Sequence, residues 1–185
     1  MAEKKKRSLG RWVLVAGILL LLVAVWYFSD STRAVDRAKR IEGLVLVNSL
    51  VKAVENFQME YDRLPDIGAV QIPSDGPAGE MFLGILTGAE ESQRDLQNLR
   101  SIVFLQGKEA KDRKGGLVYG PDDRVKAIYD PFGNPYMVIL NAKKEDSLVF
   151  QYGDQNVMLR GKGVAAYSPG KDGKLNTPDD IRSWN

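Results

Sequence analysis

Residues 47–66 read VNSLVKAVENFQMEYDRLPD, and the spacing of the apolar side chains in this stretch decides the fold. Val47, Leu50, Val54, Phe57 and Tyr61 recur at intervals of three, four, three and four, which lines them along one face of a helix. Lys52, Glu55 and Glu60 fall off that stripe. A helix of this kind must bury its apolar face against another element. Leu64-Pro65-Asp66 ends it, because the residue before a proline is pushed out of the helical region. Upstream, no proline occurs between Trp12 and Asp62, so a single helix of about fifty residues can run through, interrupted only by the tolerable Gly43.

Toward the N-terminus, Trp12–Phe28 reads WVLVAGILLLLVAVWYF, seventeen residues without a charge. At about 1.5 Å per residue this covers roughly 25 Å, the short end of what crosses a bilayer, with Trp12, Trp26, Tyr27 and Phe28 at its ends. Lys4, Lys5, Lys6, Arg7 and Arg11 precede it. The spacing therefore predicts a basic cytoplasmic tail (1–11), a transmembrane helix (12–28) in contact with membrane lipid, and an amphipathic helix (29–66). The corresponding location is the bacterial inner membrane, single-pass, with the N-terminus cytoplasmic and the C-terminal domain periplasmic. A basic region before an apolar stretch also describes a cleaved secretory signal. The stretch is long for a signal, however, and Trp-Tyr-Phe-Ser-Asp makes a poor cleavage site.

Toward the C-terminus, Ile67–Gly79 holds three glycines and two prolines and reads as loop, and Glu80–Leu86 reads as a short helix stopped by Gly88. Ile102–Leu105 is an apolar patch and Lys108–Lys114 a charged surface stretch. From Leu117 onward strands dominate: Leu117–Tyr119, Ala127–Tyr129, Tyr136–Leu140, Leu148–Tyr152 and Val164–Ser168 are short, rich in β-branched or aromatic residues, and separated by turn clusters. The expected fold is α+β, with the long helix packed on a small antiparallel sheet (116–185).

Composition narrows the function. The 185 residues include no cysteine and no histidine, which removes thiol nucleophiles, structural zinc sites and every His-dependent triad. The formal net charge of +2 conceals a local +4 over residues 1–11, so the remainder is slightly acidic and unsuited to nucleic acid. Asp62 and Asp66 sit at a helix end beside a proline turn, where carboxylates are solvated. Gly161 and Gly163 begin a superficial dinucleotide fingerprint, but Pro169 and Gly170 follow where its helix should start. An enzyme is not expected.

Asp172, Asp179 and Asp180 lie within nine residues, and three carboxylates held together in a folded loop repel one another unless a cation intervenes. All-oxygen ligation in a flexible loop suits calcium better than magnesium. The loop is not an EF-hand: Lys174, Thr177 and Ser183 stand where that motif needs an acid, a glycine and a glutamate. The alternative is a solvated turn in which Asp179 or Asp180 caps a last helical turn.

Three segments in order resemble the major pseudopilins of type II secretion systems, the G-type subunit of the type IV pilin-like family. These are the helix ending VKAVENFQMEYDRLPD, the element DPFGNPYMVIL (Asp130–Leu140), and YSPGKDGKLNTPDDIRSW (Tyr167–Trp184), which is similar to that family's terminal calcium loop. The resemblance implies a pilin-like fold in which 67–115 is an inserted variable region, and a calcium site completed by the carbonyls of Pro169 and Thr177. It implies a structural role, with other pseudopilin-like subunits or copies of itself as partners. The N-terminus departs from the family: Gly10 is followed by Arg11, the fifth residue after it is Val15, and no acid occurs from residue 4 to 29. A rival expectation is a stand-alone extracytoplasmic binding module that uses this fold without polymerising.

Overall fold

A computed structural model describes the backbone of residues 2–91 and 96–184, and side chains over residues 17–20, 32–91 and 96–184. The chain divides into two compact units, residues 1–38 and 39–185. Helix α1, Ala2–Tyr61, supplies all of the first and opens the second.

In the first unit Ile18, Leu19 and Leu20 are exposed. Among the described residues no helix is long and apolar enough to cross a membrane. This corrects two expectations, the transmembrane helix over 12–28 within the fold and the single-pass inner-membrane location. The described part of α1 that is wholly apolar is limited to Gly17–Leu20. From Arg33 the helix carries Asp36, Arg37, Lys39, Arg40 and Glu42, a charge density that hydrocarbon does not accept. The side chains of residues 12–16 and 21–28, which completed the expected span, lie outside the described ones.

In the second unit, Val47, Leu50, Val54 and Phe57 of α1 are fully buried, together with Ala53. They share one core with a four-stranded antiparallel sheet and with a second helix. The sheet runs in the order β1 (Gln71–Pro73), β4 (Met137–Leu140), β7 (Val164–Ser168), β8 (Ile181–Arg182). Alternate residues of its central strands point to opposite faces. Val138, Leu140, Val164 and Ala166 enter the α1 core, while Ile139, Ala165 and Tyr167 enter a second cluster with Leu148, Phe150 and Tyr152 of β5 (Ser147–Tyr152). β5 pairs with β6 (Gln155–Arg160) through the two-residue turn Gly153-Asp154. The result is three layers, helix, sheet and hairpin, and it explains why every residue of β7 is buried.

Helix and sheet come close together at Gly43. A Cβ there would lie 2.4 Å from Ile181 Cδ1 of β8, so the missing side chain of Gly43 is what lets Ile181 lie against the helix backbone. Beside it the Tyr136 hydroxyl donates to the Gly43 carbonyl at 3.1 Å. Burial, then the negative charges of Asp130 and Glu42, push the Tyr136 hydroxyl far above the usual tyrosine range, so it stays protonated as a donor.

The segment expected as loop and insertion contributes to the core. β1 lies within 67–79, and α2 (Gly76–Thr87) begins four residues before the expected Glu80, burying Phe82, Leu83, Ile85 and Leu86. Pro77 sits in the first turn of α2, where its missing N–H costs nothing. Between β1 and α2 the buried Ser74 ties together the sheet and the β2–β3 hairpin (Gly116–Tyr119, Val125–Tyr129). Its hydroxyl donates to Ile128 O and accepts from Tyr136 N, both at 2.7 Å. Asn98 does the same for the loop after α2. Its amide donates to the Ile85 and Ile102 carbonyls and accepts from the Tyr61 hydroxyl and the Ile102 N–H, at 2.7–3.0 Å.

Candidate metal-binding loop

The pairing of β7 with β8, Tyr167 opposite Arg182 and Ser168 opposite Ile181, makes residues 169–180 a closed loop. Its first bend is set by Pro169 and Gly170. Gly170 has φ +67°, and a Cβ on it would lie 2.2 Å from the Asp179 carbonyl oxygen and 2.9 Å from Asp179 Oδ2. Only glycine allows the two ends of the loop to touch here.

The structure brings the three expected acids into this one loop at different depths. Asp172 is exposed, Asp179 half-buried and Asp180 buried. The Asp172 N–H donates to Asp179 Oδ2 at 2.9 Å. Asp180 Oδ2 accepts the N–H groups of Asn176 and Thr177, at 2.9 and 3.2 Å, and the hydroxyl of Tyr152. Tyr152 is fixed in turn by edge-on ring contacts with Tyr167 and Trp184 at centroid distances of 4.8 and 5.4 Å. Burial, then the bond to Asp180, raises the Tyr152 hydroxyl well above its ordinary range, so it remains a donor.

The remaining carboxylate oxygens converge. Thr177 Oγ1 lies 2.7 Å from Asp179 Oδ1, 3.1 Å from Asp180 Oδ1 and 3.4 Å from Asp172 Oδ1, and it also lies 3.4 Å from the Lys174 carbonyl. A hydroxyl has one proton to donate, so it can satisfy one of these acceptors at a time. Among the described residues no three acidic side chains are arranged as a ready-made metal cage. What the loop provides is three carboxylate oxygens close to one hydroxyl, of which Asp172 Oδ1 also accepts the Lys174 N–H at 2.9 Å. That donor set suits a hard cation with flexible oxygen ligation.

Asp179 is held below the usual carboxylate range: burial works to raise it, but the Thr177 hydroxyl and the backbone N–H groups of Asp172, Lys171 and Asp179 itself outweigh burial. The Thr177 carbonyl accepts the Asp180 N–H at 3.3 Å, and half-buried Pro169 lies between the end of β7 and Gly170. Away from the loop, Asp66 Oδ1 accepts the Gly68 N–H at 2.8 Å and so belongs to a turn.

Behind the loop lies the segment 130–136, whose two prolines and Gly-Asn read as a structural turn rather than a ligand site. Asp130, fully buried, accepts the N–H groups of Phe132, Gly133 and Asn134 on Oδ1 at 2.7–2.9 Å, and the Ser168 hydroxyl on Oδ2 at 2.8 Å. An aspartate before proline, glycine and asparagine signals such a turn. Nothing in the local pattern signals its partner Ser168, 38 residues away.

No family model, curated protein or solved structure matches this chain.

Proposed function

We propose that this protein is a structural, pseudopilin-like subunit of a type II secretion or type IV pilus-like assembly, stabilised by calcium in loop 169–180 and contributing helix-to-helix contacts rather than catalysis. The carboxylates of Asp172, Asp179 and Asp180 would hold the ion, with the carbonyls of Pro169 and Thr177 completing the set that the resemblance implies. Bound there, calcium would neutralise the converging carboxylates. The protein's own part is to hold those carboxylates close, through Gly170, Thr177 and Tyr152.

The observation that carries the assembly reading is a pair of exposed apolar side chains on α1. Within the second unit Ile41 and Val45, one helical turn apart and away from the buried stripe, are 63% and 61% exposed. The chain has no cysteine, so single replacements report contacts without ambiguity. Oxidation of full-length Ile41→Cys and Val45→Cys is expected to give disulfide-linked pairs of copies, and Met158→Cys, on the exposed face of β6, monomers. Absence of linkage at both helix positions would overturn assembly through this face.

One feature favours the second reading, a stand-alone binding module. A groove of about 630 Å³ beside α2 is lined by Ile67, Met81, Ile85 and Val125, together with Glu90 and Arg124. Its size falls in the range of small-molecule sites. Failure of the cysteine pairs together with ligand-dependent stabilisation would shift the assignment to that reading.

A further inference from the structure

The groove beside α2 joins apolar side chains to an excess of negative charge. Of the residues that line it, Ile85 and Val125 are buried and Met81 is exposed. A methionine side chain is unbranched and polarizable, so it adapts to what it covers. Three glutamates, Glu80, Glu90 and Glu91, line the same groove against one arginine, Arg124. The neighbouring charges do not remove this excess. Lys126 Nζ lies 2.5 Å from Glu80 Oε1 and 3.0 Å from Asp122 Oδ2, so one ammonium is divided between two acids. Arg124 is divided in the same way, with Nη1 3.9 Å from Glu91 Oε1 and Nε 3.9 Å from Asp122 Oδ2. Glu90 accepts the N–H groups of Gln97 and Asn98 at 2.9 and 2.7 Å, which order its carboxylate without neutralising it.

We propose that this groove binds a small amphipathic cation, an amine or quaternary ammonium carried on an apolar body. The proposal rests on the binding-module reading of the groove and requires neither calcium nor assembly. Charge complementarity selects the occupant. A cationic head offsets the mutual repulsion of the carboxylates, whereas a carboxylate or phosphate head adds to it. The apolar body covers Met81, Ile85 and Val125 and gains in proportion to the area removed from water. A neutral molecule of the same shape gains that burial without the electrostatic attraction. Because the charges are partly exposed and screened by salt, the cation is favoured over its anionic counterpart by about tenfold.

The test is a titration of the full-length protein, followed by nuclear magnetic resonance, with three probes of one chain length: octylammonium, 1-octanol and octanoate. The signals of Met81, Ile85 and Val125 are expected to move with octylammonium, at a dissociation constant about tenfold below that of octanoate, with 1-octanol between them. Two variants should shift the constant in opposite directions. Arg124→Gln removes the cation that lines the groove and should tighten octylammonium binding. Glu91→Lys exchanges an acid for a base and should weaken it, erasing the preference over octanoate. The Arg124 and Glu91 side chains are 39% and 88% exposed, so neither replacement empties the core. Octanoate binding at these three residues as tightly as octylammonium would overturn the cation assignment while leaving the groove a ligand site. Stationary signals at Met81, Ile85 and Val125 with all three probes would overturn the binding-module reading and the proposal with it. The wild-type comparison of the three probes decides the matter by itself if a variant does not fold.

Discussion

Gly170 concentrates the chemistry of the loop in one backbone position. Any side chain there meets a left-handed φ of +67° and a carbonyl oxygen 2.2 Å away. Gly170→Ala is expected to destabilise the protein by about 2–3 kcal/mol, visible as a lower midpoint in urea, because the backbone of the loop must move. Asp179 gives the loop a pH dependence whose sign follows from its depressed value. Its contribution is fully present above the ordinary carboxylate range, near 3.8, and is lost as the pH falls through the lower folded value. Melting of the chelated protein should therefore show a drop on acidification below about pH 4 that is smaller in Asp179→Asn. At this scale the acids were legible as a cluster, since they lie within nine residues. Two of their supports were not: Tyr152, whose hydroxyl donates to Asp180, and Asn134, whose amide donates to the Gly170 carbonyl, reach the loop through tertiary contact rather than spacing.

Among the elements, the second half of α1 was the most legible, since the stripe at Val47, Leu50, Val54 and Phe57 is the stripe that is buried. Leu50→Ala should cost about 2–5 kcal/mol in equilibrium unfolding, as a fully buried leucine at the centre of the helix–sheet interface. β4, β5 and β7 announced themselves as β-branched and aromatic runs. β6, QNVMLR, did not, because its side chains are exposed or half-buried and only its pairing with β5 makes it a strand. β1 was hidden by Pro73, by the glycines that flank it and by its length of three residues. The loop after α2 owes its conformation to Asn98, whose four bonds replace the regular structure it lacks. Asn98→Ala should cost about 1–3 kcal/mol in the same assay, because buried partners on α1 and α2 are left unpaired.

For the whole molecule, the expected membrane span is the main revision: among the described residues no helix is long and apolar enough to cross a membrane. Within the second unit, the three layers of helix, sheet and hairpin form around β7, and the loop that leaves β7 carries the gathered carboxylates. Calcium binding would therefore stabilise the strand pairing at the centre of the fold. At a calcium concentration about a hundred times the dissociation constant, linkage supplies on the order of 2.7 kcal/mol, or roughly 5–10 °C in melting midpoint for a domain of this size. The most direct measurement is the midpoint of the full-length protein in calcium, in magnesium and in chelator, for wild type and Asp172→Ala. The account predicts a rise of that size with calcium, little with magnesium, and little response in Asp172→Ala; coincident wild-type curves in calcium and chelator would contradict it.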